Sequence, residues 1–308
     1  MAVLDTNNII VVSDMHVGCR LGLMHPDGAT LDDGGKTMPS PAQRKMWDVW
    51  EYFWQEWVPT RTRGEKYVIV INGDAMEGVH HKAITQWSQN DATDQVNHGV
   101  KILGPIVSGK KVLAYYHIRG STAHAGESGK NEETLARELG ARPRGSDADE
   151  DGDLDLSQGQ EGVQHARWEI YKRIGSKNGG EGGSPIHILH TIGTTGSQHY
   201  ESTALLKEHI EALVEAARWG REAPGGIVRS HRHRAFQIRI PAILRGLPHS
   251  SEAVALITAG WQMKTPFAHR IAGARVSQPQ FGGALVSVHK GELYGVLYTK
   301  PLERPSDE

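Results

Sequence analysis

Two aspartates and five histidines stand in an order that suits metal chemistry. Asp14-Met15-His16, Gly73-Asp74, Gly120-Ser121-Thr122-Ala123-His124, His190 and His231-Arg232-His233 follow one another along 308 residues. Carboxylate oxygen and imidazole nitrogen suit Zn, Mn, Fe or Ni. Cys19 is the only cysteine, which excludes an intramolecular disulfide and a Cys-rich zinc module. Alone, an Asp at a strand end is often a helix cap, and a lone His more often packs than ligates. Five such groups in series argue for a shared site. On extended backbone, residues i and i+2 point the same way, so Asp14/His16 and His231/His233 each read as a pincer.

The elements that position these residues are legible as apolar runs. Asn8 to Ser13 (NIIVVS) reads as a buried strand ending at Asp14, and Tyr67 to Ile71 (YVIVI) as a second strand running into Gly73-Asp74. Lys111 to Ile118 reads as a third, ending at Arg119-Gly120. Ile186 to His190 and Ile227 to Arg229 deliver His190 and the His231-x-His233 pair, and Val163 to Ile174 reads as one strand. Pro41 opens a helix whose Met46, Trp47, Trp50, Phe53, Trp54 and Trp57 recur at helical spacing. That stripe reads as a face packed on a sheet, not as a cofactor box. Further helices are expected over 91–108, with Pro105 inside, and over Asn131–Leu139 and Glu201–Trp219. Alternating strands and helices define an α/β fold, whose sites gather beyond the carboxyl ends of strands. With no repeat and no long linker, 1–308 reads as one domain, with a long loop at 18–41 and an acidic insertion at 142–160.

The order D-x-H, G-D, a Gly-led turn with His, a lone His and H-x-H resembles the calcineurin-like metallophosphoesterase superfamily, over residues 14 to 233. The stretches NGDAMEGVHH and AGWQMKTPFAHRIAGARVSQPQFGG resemble its phage-encoded members. The resemblance implies a four-layer α/β/β/α sandwich of two mixed sheets flanked by helices, with a dinuclear metal centre at the carboxyl ends of strands. It implies Asp14, His16 and His233 on one metal, His190 and His231 on the other, and Asp74 bridging both. His124 falls at the family's catalytic His. Two divalent ions, Mn first and Fe, Zn, Ni or Co also suited, then lower the pKa of a shared water for attack on phosphorus. The family's Asn in the third motif is missing here. Ser121 or Thr122 offers a hydroxyl instead, His124 itself ligates, or water fills the position. The second motif lacks the family's Asp three residues after Asp74 and has Glu77 there, which reads as structural.

Arg119 and Arg232 flank the motifs and suit phosphate contacts, and His81, of the His80-His81 pair, is a further substrate-binding candidate. Arg234 reads as an ordinary surface residue. Asp147 to Asp155 (DADEDGDLD) matches alternate positions of a calcium loop, but Gln158 stands where Glu should close it, so it reads as a solvated acidic loop.

Lys+Arg 34 against Asp+Glu 36 leaves a net charge of -2, which argues against a global grip on nucleic-acid duplexes or anionic membranes. No apolar run approaches a membrane span and no signal peptide is visible, so the expected location is cytoplasmic, in the host if phage-encoded. The expected function is a phosphoesterase acting on a phosphodiester or nucleic-acid-derived substrate. The alternatives are a phosphomonoesterase or protein phosphatase, and a non-catalytic scaffold of the same fold. An amidohydrolase would carry H-x-H on its first strand, not at 231–233.

Overall fold

The apolar runs that end in the candidate ligands pair as neighbouring strands. The computed structural model describes residues 3–31, 33–80, 86–87, 92–146, 164–175, 183–193, 200–241, 252–266 and 278–301. In chain order, the elements are β1 (Val3–Asp5), β2 (Asn8–Val12), β3 (Ala29–Thr30), β4 (Lys36–Thr37) and α1 (Pro41–Tyr52). A π-helical segment (Phe53–Trp57) continues α1 into α2 (Val58–Arg61), followed by β5 (Tyr67–Asn72), α3 (Thr93–Val107) and β6 (Val112–Ile118). Then come α4 (Thr122–Ala125), α5 (Lys130–Glu138), β7 (Ala166–Arg167), β8 (Glu169–Gly175) and β9 (Ser184–Leu189). The remainder is α6 (Glu201–Arg218), β10 (Gly226–Arg229), β11 (Phe236–Pro241), β12 (Glu252–Ile257), β13 (Gln280–His289) and β14 (Glu292–Pro301).

Two six-stranded mixed sheets result, ordered β1-β8-β9-β10-β12-β11 and β14-β13-β2-β5-β6-β7. In the second, β2, β5 and β6 run parallel side by side. In the first, β9, β10 and β12 do the same. The inner faces meet in one apolar layer, where Ile9, Val11, Val68, Val70 and Ile118 pack with Ile170, Ile186, Ile188, Val228 and Leu256. The other face of β2 and β5 (Ile10, Val12, Ile69, Ile71) packs under Trp47, Trp50, Phe53 and Trp57 and under Ile102, Leu103 and Leu135. α6 covers the first sheet through Ala204 and Leu205 on Ile227, Ala255 and Ile257. The layers are thus α/β/β/α, as expected from the sequence. The tryptophan stripe is a packing face. Its entry is fixed by Ser40, whose Oγ accepts the Gln43 N–H while Gln43 Oε1 accepts the Ser40 N–H.

Two sequence readings need correction. The single strand expected over 163–174 breaks at Trp168. β7 pairs with β6 in one sheet, and β8 pairs with β9 in the other. The chain crosses between layers there, leaving Trp168 62% exposed, a change of sheet that no local pattern announces. Residues 18–41 are also not all loop, since Ala29 and Thr30 pair with Thr37 and Lys36 in a small hairpin. The 147–158 acidic stretch lies outside the described residues.

Candidate metal centre

Adjacent parallel strands carry the candidate ligands to one edge of the two sheets. Asp14 and His16 follow β2, Asp74 follows β5, and Ser121 to His124 follow β6. His190 follows β9, while His231 and His233 follow β10. The ligand-type atoms of Asp14, His16 and His233 lie within 4.8 Å of one another, and so do those of Asp74, His190 and His231. Asp74 also groups with His16 and His124, which places its carboxylate between the two triads.

The pincer geometry read from the sequence is not what assembles them. β2 ends at Val12, and Asp14 (φ 52°) and His16 (φ 46°) lie in the left-handed region, not on extended backbone. His231 (φ 70°) and His233 (φ 52°) do too, and they part company, one going to each triad. Asp74 (φ 48°) follows the left-handed Gly73 (φ 76°). Left-handed backbone costs a side-chain-bearing residue roughly 1–2 kcal/mol. Five of the six candidate ligands adopt it, a concentration of strain that marks functional sites.

Hydrogen bonds fix which atoms face inward. His190 Nδ1 lies 2.7 Å from the Asn72 carbonyl, which only accepts, so Nδ1 carries the proton. In the neutral ring Nε2 then presents its lone pair, 3.1 Å from Asp74 Oδ2. His16 Nδ1 lies 2.9 Å from Glu77 Oε2 and donates to that carboxylate, turning Nε2 toward His233 Nε2 at 3.1 Å. Asp14 Oδ2 accepts the His231 N–H at 3.2 Å. Asp14 Oδ1 stands 3.2 Å from His233 Nε2, buried and without an aligned hydrogen bond. Nitrogen lone pairs and carboxylate oxygens facing one another in a buried space require a proton or a cation between them. This donor set fits divalent cations, and the orienting bonds from Asn72 and Glu77 are the supports such ligands use.

The electrostatics agree. Burial pushes the Asp14 carboxyl up, but the facing His233 and His190 outweigh it and hold it at about 2. Burial opposes the charge on Asp74 as well, and His190, His231 and His124 hold it well below the carboxylate range. Desolvation lowers His190, yet Asp74 drives it up to about 10. Desolvation and the neighbouring His16 push His124 down to about 4. His124 Nδ1 donates to the Glu77 carbonyl at 2.7 Å, so its neutral ring keeps Nε2 free of a proton. Burial pushes the Cys19 thiol up to about 12, leaving it no nucleophile near neutral pH.

The third motif places Ser121 against the bridge candidate. Its N–H donates to Asp74 Oδ1 at 2.7 Å, and its Oγ lies 3.1 and 3.2 Å from the two carboxylate oxygens. Gly120 makes this approach available: a Cβ there would lie 2.0 Å from Asp74 Oδ1. Asn72 carries no ligand signature, whereas Ser121 is one of the hydroxyls expected to stand for the missing Asn, and here it bonds the Asp74 carboxylate. The sequence signal of Asn72 is only its place, a polar residue beside Gly73-Asp74. Glu77 Oε2 stands 2.9 Å from His16 Nδ1, and Glu77 also groups with His80 and His124 in an arrangement that could itself hold a cation.

The substrate-binding candidates separate. Arg119 is buried, with Nε on the Ala166 carbonyl (3.0 Å), Nη1 on the Ser128 carbonyl (3.2 Å) and Nη2 3.8 Å from Glu133. Its guanidinium holds backbone together. Arg232 is half-buried and bonds the Gly193 carbonyl through Nη2, while its buried Nε has no hydrogen-bond partner among the described residues. Arg234 pairs with Glu201 at 2.9 Å. His81 lies outside the described residues. His80 packs edge-on to His124, with ring centroids 4.6 Å apart.

No protein-family model matches the chain, and no curated protein matches it. Among solved structures, it is similar to a Thermotoga maritima protein solved by NMR in solution, at 12% identity and a TM-score of 0.33, over 96% of this chain and 100% of that one. It is also similar to Vacuolar Protein Sorting 29 from Cryptosporidium parvum, at 10% identity and a TM-score of 0.31, over 96% of this chain and 98% of that one. Neither likeness bears on the site, which stands on its own geometry. Among the described residues, no helix is long and apolar enough to cross a membrane.

Proposed function

We propose that this chain is a metal-dependent phosphoesterase of the calcineurin-like kind, with a phosphodiester or nucleic-acid-derived compound as substrate. The observation that carries the proposal is the position of Asp74. Its buried carboxylate stands beside His190 and His231 on one side and groups with His16 on the other. One carboxylate between two Asp/His triads is the arrangement that holds two cations at a shared wall. Bound there, two divalent ions, Mn first and Fe, Zn, Co or Ni also suited, would supply Lewis acidity and a water of lowered pKa.

The chain's own residues account for the rest. Asn72 and Glu77 orient His190 and His16, and the His231 amide turns Asp14 so that Oδ1 faces the site. Arg232, beside the triads, suits a non-bridging phosphoryl oxygen. His124 groups with His16 and Asp74 and would serve as the acid for a departing alkoxide once its second nitrogen takes up a proton, a step its lowered pKa opposes in the metal-free chain. A monoester carries nearly two negative charges and calls for several cationic side chains beside the metals. A diester carries one. Arg119 is engaged with backbone, Arg232 bonds the Gly193 carbonyl and Arg234 pairs with Glu201, so no dense cluster of free cationic side chains stands beside the motifs among the described residues, and this favours the diester. The test is a side-by-side assay of bis-aryl and mono-aryl phosphates with Mn²⁺. Faster diester turnover is expected. A clear monoester preference across metals would replace this reading with a phosphomonoesterase, and no turnover of either would favour the scaffold.

A further inference from the structure

A carboxylate outside both triads sits deep beneath the Asp74 turn. Glu132, on α5, is fully buried, as is His117 on β6, and Tyr115 two residues earlier is nearly so. Glu132 Oε1 accepts the backbone N–H of Ala75, the residue after Asp74, at 3.0 Å. Its Oε2 pairs with His117 Nε2, and His117 Nδ1 pairs with the Tyr115 hydroxyl. The chain has one consistent direction. A carboxylate only accepts, so Ala75 N–H and His117 Nε2–H donate to Glu132, and Tyr115 O–H donates to the remaining His117 nitrogen.

Packing does not call for this carboxylate. The same face of α5 buries Leu135 and Ala136 in the aromatic core, so a carboxylate at position 132 carries a desolvation cost that only its hydrogen bonds to His117 and the Ala75 N–H offset. The carboxylate's distinctive contact is with the Asp74 turn. There Gly73 and Asp74 are both left-handed, and such backbone persists only where its surroundings over-determine it. Val17 N–H holds the Ala75 carbonyl at 2.9 Å, and Glu132 holds the Ala75 N–H from beneath. Ser121 holds the carboxylate of Asp74 itself.

We infer that Glu132 is a positioning residue for Asp74: held by His117 and Tyr115, it clamps the Ala75 amide and so keeps the Asp74 carboxylate between the two triads. The inference rests on the metal reading above. It is tested by calorimetric titration of the metal-free chain with Mn²⁺, alongside Glu132→Leu, Glu132→Gln and Glu132→Asp. Leucine fills the space but cannot accept the Ala75 N–H, so the affinity for at least one ion should fall about 10–100-fold, the range for outer-shell partners. Glutamine keeps a carbonyl oxygen for that N–H, and its side-chain N–H can donate to His117 Nε2 once the ring takes the other tautomer and donates from Nδ1 to the Tyr115 oxygen, so it should restore affinity to within a few-fold. Aspartate keeps the charge but falls one methylene short, and should lie between the two. A merely structural role would lower Tm without changing ion affinity per folded chain. Wild-type-like titrations for both Glu132→Leu and Glu132→Asp would overturn the inference, and if the leucine variant does not fold, the Glu132→Asp titration alone decides it in the same sense. A wild-type chain that binds no Mn²⁺ would overturn the metal reading, and this inference with it.

Discussion

His16 Nε2 and His233 Nε2 lie 3.1 Å apart, although 217 residues separate them. With His16 Nδ1 committed to Glu77 and Asp14 Oδ1 3.2 Å from His233 Nε2, three ligand-type atoms crowd one point. A cation there relieves the crowding and binds only the folded chain, so Mn²⁺ should raise Tm, by an amount corresponding to about 2.7 kcal/mol at a hundred times its Kd. His233→Ala should cut that rise by about half in a thermal melt with and without Mn²⁺. An undiminished rise would mean the ion sits elsewhere.

Gly120→Ala should act on the site, not on the core. Its Cβ would lie 2.0 Å from Asp74 Oδ1 and 2.3 Å from the Asp74 amide nitrogen, so the carboxylate has to move. Mn²⁺ affinity should fall at least tenfold. Gly104→Ala, in α3 with no atom beyond its chain neighbours and its own helix backbone within 4 Å of the new Cβ, is the comparison. It should leave Mn²⁺ affinity unchanged, with no gain in stability expected by denaturant unfolding, because a Cβ on the residue before Pro105 is disfavoured in a helix.

His124→Ala should keep the metals and slow turnover. His124 groups with His16 and Asp74 but not with His190 and His231, so the second triad does not depend on it. Loss of a positioned acid typically costs about 10²–10⁴-fold in rate. Steady-state kinetics with bis-aryl phosphate and metal analysis of the same sample check both halves. Loss of an ion would make His124 the ligand that stands in for the missing Asn.

The strands that carry the site were legible because each is a short β-branched run cut off by a polar or Gly-led turn. Ile9 to Val12 and Val68 to Ile71 are buried on both faces, and such runs read plainly. The candidate residues were legible by type, since a motif needs only their order. Their grouping was not legible from alternation. His231 and His233 separate because both adopt left-handed backbone, and an i, i+2 argument holds only on an extended strand. Asn72, Ser121 and Glu132 act through hydrogen bonds to partners 118, 47 and 57 residues away, and nothing local to them records that. The break at Trp168 was hidden for a related reason: β7 and β8 keep one continuous strand-like pattern while joining different sheets.

The central claim is that Asp74 holds two cations between two triads. Metal content per chain, measured on purified wild type and on Asp74→Ala after equilibration with Mn²⁺, tests it most directly. Two ions per wild-type chain, with one or both lost in the variant together with nearly all phosphoesterase activity, is the predicted result. Full occupancy and ordinary turnover in Asp74→Ala would contradict it.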